Sequence, residues 1–197
     1  SEQRTALEAT LRAGATPLQA TLLSSVAARW SSGTEVGSLS GNPIDTALSY
    51  VEAAFLTLGH GRELVLYSMA LLCVAPFGLS ESELLEVLIS IGGVRDEFLS
   101  QDRYGYTGDR LPFVVWSRLY FDLRECLETV LFKGVPVIRF VHSVFRRAIL
   151  TAYEPYCNEA RSILMRFYSS QPAHFDSAWH APNILRATNL PTLGGGG

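Results

Sequence analysis

Apolar residues recur along most of this chain with the three-to-four-residue spacing of helices, and each run is bracketed by start and stop signals. Thr16-Pro17-Leu18-Gln19 opens the first: Thr16 can cap, Pro17 suits the first helical position, and Gln19 completes a capping box. Leu18, Leu22, Val26 and Trp30, with Leu23 and Ala27 beside them, then form one stripe to about Trp30. Residues 31–41 are rich in Ser and Gly and read as a surface loop, after which Asn42-Pro43 restarts a helix with Ile44, Leu48, Val51, Phe55 and Leu58 along one side. Gly59-His60-Gly61 ends it. Residues 62–75 are apolar nearly all round and predict a helix buried between others. Pro76-Phe77-Gly78 stops that helix, and Ser80-Glu81-Ser82-Glu83 is a second capping box, opening a short helix with Leu84, Leu85, Leu88 and Ile91 inward.

Residues 92–110 read as a long polar excursion. Pro112 begins a helix to about Leu127 with Val115, Leu119, Leu123, Cys126 and Leu127 inward. Residues 129–132 and 137–141, separated by Lys133-Gly134, predict a β-hairpin. Residues 157–168 are a further amphipathic helix, and 172–193 are irregular or a last short helix. Leu84, Leu88, Leu119, Leu123 and Ile149 should line a shared core. The expected architecture is mainly α: a helical bundle followed by a winged-helix domain whose two-stranded β-hairpin is the wing. Residues 1–61 form the helical domain, 62–153 (three helices, then the hairpin) the winged helix, and 154–197 a helical extension and linker.

A chain of 197 residues buries roughly 70% of its unfolded surface, enough for a true core. With 48% hydrophobic and 18% charged residues it is slightly apolar for a free-standing globule, as expected of a piece of a larger assembly. A net charge of −3 supplies no broad electrostatic footprint for nucleic acid or anionic membrane. Cys73, Cys126 and Cys157 are odd in number and far apart, which indicates neither a disulfide framework nor a metal cluster and favours a reducing, intracellular, cytoplasmic setting. The longest apolar run, residues 64–77, is short of a membrane span, and the first residues do not read as a signal peptide.

Candidate chemistry is sparse. No G-x-x-x-x-G-K-[ST] phosphate loop, serine elbow or HExxH pattern occurs, so the chain is not expected to be an enzyme by itself. His174 and His180 flank Asp176 without a further ligand to complete a metal site. The helix from Pro112 carries Arg118 and Arg124 but also Asp122, Glu125 and Glu128, so its charges cancel where DNA would need attraction. His142 is the most informative position. It lies where the second hairpin strand runs into a helix, a place where freed N–H groups and the positive helix end favour an anion. A histidine there serves either as an anion contact or as a structural hydrogen-bonding residue.

Four separated segments resemble the STAND-class (NACHT and apoptotic-type) P-loop ATPases, in the family's order. Gly14-Ala15-Thr16-Pro17-Leu18 resembles the Gly-x-Pro motif that opens the helical domain behind the nucleotide-binding core. The stretch Phe77-Gly78-Leu79-Ser80-Glu81-Ser82-Glu83-Leu84-Leu85 is similar to the start of the second winged-helix helix. Leu111-Pro112-Phe113-Val114-Val115-Trp116-Ser117-Arg118-Leu119 resembles a helix of the NACHT and WD-repeat proteins related to the telomerase-associated vault component. Val141-His142-Ser143 occupies the Met-His-Asp motif that ends the winged helix, with Ser143 in place of the acidic residue.

The resemblance implies the regulatory lid of a larger ATPase that senses bound nucleotide and controls assembly. Pro17 would lie against the base and His142 on the β-phosphate of ADP. Independently of the resemblance, Arg146 and Arg147 lie one turn into the following helix, where either would reinforce the phosphate contact or bind an acidic partner, and Arg146 is favoured because it falls four residues after His142 on the same face. The resemblance further implies that ADP or ATP is held mainly by a nucleotide-binding domain outside this chain, with no cofactor for the fragment alone. The partners would be that domain, C-terminal repeats of the same protein, and other members of a large assembly. No WD repeats follow within the 197 residues. The alternatives are a non-catalytic scaffold module and, against the charge pattern, a winged-helix nucleic-acid binder.

Overall fold

The computed structural model describes residues 16–27, 42–101, 106–171 and 184–194. Among the described residues the chain is mainly helical, with one two-stranded antiparallel sheet. In order the elements are α1 (Pro17–Ala27), α2 (Pro43–Leu56), α3 (Arg62–Val74), α4 (Glu81–Ser90), α5 (Gly92–Gln101), α6 (Phe113–Asp122), β1 (Leu127–Phe132), β2 (Val135–Phe140), α7 (Ser143–Ala152), α8 (Glu154–Ser170) and α9 (Ile184–Gly194). Trp30, the 31–41 loop, and His174 and His180 lie outside the described residues.

The helix starts follow from local chemistry. At α1 the Gln19 amide donates to Thr16 Oγ1 at 3.3 Å while Gln19 Oε1 accepts from the Thr16 amide at 2.9 Å. Asn42 caps α2 through the Ile44 amide, and Ser80 and Glu83 form the reciprocal box at α4. The buried face of α2 is rotated from the expected one: Thr46, Ala47, Tyr50, Val51 and Ala54 are buried, while Ile44, Leu48 and Phe55 lie at the margin of the core. Two neighbours, α1 and α7, cover α2, and Tyr50 enters the core with its hydroxyl donating to the Asp122 carbonyl at 2.9 Å.

The central helix is α3, buried at every position from Leu64 to Val74. Its ends are completed by other helices. Gly61 supplies no side-chain cap, and Glu97 of α5 instead accepts from the amides of Glu63 (3.3 Å) and Leu64 (3.0 Å), placing a carboxylate on the positive end. At the other end Arg146 Nε donates to the Cys73 carbonyl at 2.9 Å, so a guanidinium meets the negative end.

Four helices, not three, separate residue 62 from the hairpin. Residues 92–110 are not a polar excursion throughout, because Gly92–Gln101 folds as α5 with Val94 buried and Phe98 against the core. The helix from Pro112 is also shorter than expected. It ends at Asp122; a turn follows, and Leu127 opens β1. Leu119, Leu123, Cys126 and Leu127 are buried as expected, Val115 only partly, and Trp116 is the main aromatic anchor.

The hairpin closes through Lys133 (φ +49°) and Gly134 (φ +85°), the two positive values that suit a tight turn between twisted strands. Its register pairs Phe132 with Val135 and Leu127 with Phe140. On the other edge of β2, Leu79 and Ile138 exchange backbone hydrogen bonds of 3.1 and 2.8 Å as an isolated antiparallel bridge. An extended residue between α3 and α4 therefore flanks the sheet. A single apolar cluster runs from Leu22 to Leu193 and includes Leu84, Leu88, Leu119, Leu123 and Ile149.

Candidate functional site

The junction between β2 and α7 is built by the end of the ladder. Val141 has left the strand, its amide donating to the Cys126 carbonyl at 3.0 Å, and His142 follows in extended conformation as the N-cap of α7. The imidazole Nδ1 accepts the Val144 amide at 3.1 Å. Ser143 is the first residue of this helix, and its cap is the histidine ring.

That bond constrains the chemistry of the exposed His142. A ring nitrogen that accepts carries no proton, so the neutral tautomer has its N–H at Nε2. Capping and ligand contact are then compatible: Nδ1 serves the helix and Nε2–H is a single outward donor.

Arg146 lies one turn further along α7, exposed, with Nε committed to the end of α3. The contact is reciprocal, because Cys73 Sγ donates to the Arg146 carbonyl at 3.5 Å. Cys157, at the start of α8, reaches the Ile149 carbonyl at 4.0 Å, which brings both buried thiols to the inner side of α7. The neighbouring Cys157 thiol and burial push the Cys73 thiol well up, so it stays neutral. Pro17 is exposed at the first position of α1, whose packing partner is α2; its carbonyl accepts from Thr21 Oγ1 at 3.1 Å. His142 and Arg146 therefore share one helix, whereas no described hydrogen bond joins Pro17 to either.

Two polar groupings lay beyond sequence reasoning. Tyr67, Tyr153 and Tyr156 donate to Glu159, Glu52 and Glu63 at 2.6, 2.5 and 2.9 Å, strapping α2, α3 and α8 together. Burial first, and the adjacent carboxylates second, raise all three phenols, so they act as neutral donors. The second is His60, whose Nε2 lies 2.8 Å from Asp122 Oδ2 with the ring only 6% exposed. The partners in both groupings come from distant helices, and no local spacing announces them.

Among the described residues no cluster of three or more His, Cys, Asp or Glu side chains is suited to a metal ion, and no helix is long and apolar enough to cross a membrane. Compared with protein-family models, curated proteins and solved structures, the chain matches none.

Proposed function

We propose that this chain is the helical and winged-helix portion of a STAND-type ATPase, a lid that senses nucleotide held by a domain outside it and controls assembly. The observation that carries the reading is the Leu79–Ile138 bridge. It makes the order from α3 onward helix, extended residue, helix, further helices and hairpin, with the extended residue on the outer edge of β2. That order supports the winged-helix reading, with α5 as an added helix. His142 then stands at the exit of the hairpin, an exposed neutral donor at the positive end of α7, which suits one phosphate oxygen of ADP. Pro17 against the base, by resemblance, and Arg146 beside the phosphate, by its place four residues after His142, complete the set. Loss of the His142 contact on nucleotide exchange would release the lid as a population shift between two arrangements.

A second reading, the non-catalytic scaffold, is favoured by a specific observation: His142 and Arg146 already complete the ends of α7 and α3. His142→Asp separates the two. Aspartate is a strong N-cap, so folding should be retained. It also sets a negative charge where the phosphate would lie. ADP dissociation from the intact polypeptide, followed with a fluorescent ADP analogue, should accelerate by about tenfold or more. An unchanged rate would favour the scaffold.

A further inference from the structure

The outward face of α6 is apolar. Phe113, Val114 and Phe121 keep 59%, 62% and 64% of their area exposed, and only Trp116 and Leu119 of this helix are buried. Phe113, Ser117 and Phe121 fall at i, i+4 and i+8 and form one stripe about 12 Å long, the rise of two turns. Ser117 is small and bonded back to the Val114 carbonyl at 3.1 Å, which leaves a notch between the two rings.

The hairpin lies beside α6. Tyr120 of α6 meets Thr129 Oγ1 of β1 at 3.2 Å. Leu131, two residues on and so on the same face of the strand, is 77% exposed. An aromatic side chain presents about 150–250 Å², so the two phenylalanines alone expose roughly 200–300 Å². With Val114 and Leu131 the face falls in the range, about 300–600 Å², of apolar patches that mark interaction sites.

Charge selects the occupant. Arg118 lies beside the stripe, exposed and in no described salt bridge, because Asp122, its natural partner at i+4, is held by His60. Arg124 stacks over the Phe121 ring at 4.6 Å and is balanced by Glu125 at 3.5 Å. A duplex needs several uncompensated cations, and this face has phenylalanines instead. A second copy is disfavoured as well, since two-fold pairing of the stripes about Ser117 would set the two Arg118 side chains together. We infer that the face of α6, extended by Leu131, docks an amphipathic helix of a partner protein that presents an apolar stripe with an acidic side chain opposite Arg118.

Two synthetic helical peptides with the same leucine face, one flanked by glutamate and the other by lysine, test this when titrated into the 197-residue chain by fluorescence anisotropy. The glutamate peptide should bind about tenfold tighter. Phe121→Ser should weaken it by about tenfold or more, and Arg118→Glu should reverse the preference. Both substituted side chains are exposed, and circular dichroism verifies the fold. Four results would overturn the assignment: no binding, equal binding of both peptides, a dimer in sedimentation that Phe121→Ser dissolves, or salt-sensitive capture of duplex DNA lost with Arg118→Glu. The last two hand the face to a second copy or to nucleic acid.

Discussion

Replacing Gly78 by alanine should be far more damaging than the same change at Gly134, although both have φ +85°. A Cβ on residue 134 meets nothing within 4 Å, so Gly134→Ala costs only the left-handed backbone, about 1–2 kcal/mol. A Cβ on residue 78 would lie 2.5 Å from the Ile138 carbonyl oxygen and 3.2 Å from Val137 Cβ. That oxygen accepts the Leu79 amide, so relief of the clash must part Leu79 from Ile138 and break both bonds of the bridge. Two backbone bonds at about 0.5–1.5 kcal/mol each, added to the same conformational term, give a loss of about 2–5 kcal/mol. Against a total stability of about 5–15 kcal/mol this is a large shift of the urea midpoint, read by circular dichroism at unchanged slope. Equal losses for the two variants would refute the close approach, and with it the extended segment that carries the winged-helix reading.

Other consequences concern the core, one half-buried carboxyl and the helix cap. Leu123→Ala, at a position with no exposed area, should cost about 2–5 kcal/mol in chemical denaturation, and a loss under about half a kcal/mol would mean the side chain is not packed as described. Burial holds the Glu83 carboxyl above its ordinary 4.5 despite the opposing bonds from Ser80 and Tyr168. The folded state therefore binds this proton more tightly than the unfolded chain, and its contribution is fully present below 4.5 and lost as pH rises through the folded value. Glu83→Gln should accordingly gain on the wild type as pH climbs across that window; denaturation midpoints moving the opposite way would contradict it. His142→Ala should lower stability by about 0.5–2 kcal/mol through loss of the cap, with His142→Asp restoring it, and identical melting of all three proteins would argue against the ring as cap.

What was legible in the sequence is what local chemistry decides. The boxes at Thr16 and Ser80, Asn42-Pro43, the all-round apolar run of α3 and the Lys133-Gly134 turn each specify their element within a few residues. α5 escaped because two glycines open it and its anchoring comes from Val94, Phe98 and the reach of Glu97 to α3. The end of α6 escaped because Leu123, Cys126 and Leu127 suit a helical face as well as they suit a turn leading into a strand. At the candidate site, His142 was visible as a junction residue, but its bond to Val144 depends on the extended backbone of the cap. Arg146 was read against His142 at i,i+4, while its actual acceptor is 73 residues back in the chain.

The nucleotide content of the intact polypeptide tests the account most directly. Protein purified without added nucleotide, then denatured and chromatographed, should release stoichiometric ADP, and His142→Asp should release much less while remaining folded. Nucleotide-free wild-type protein, or equal ADP in the two proteins, would contradict the sensing lid and leave the fold as a scaffold.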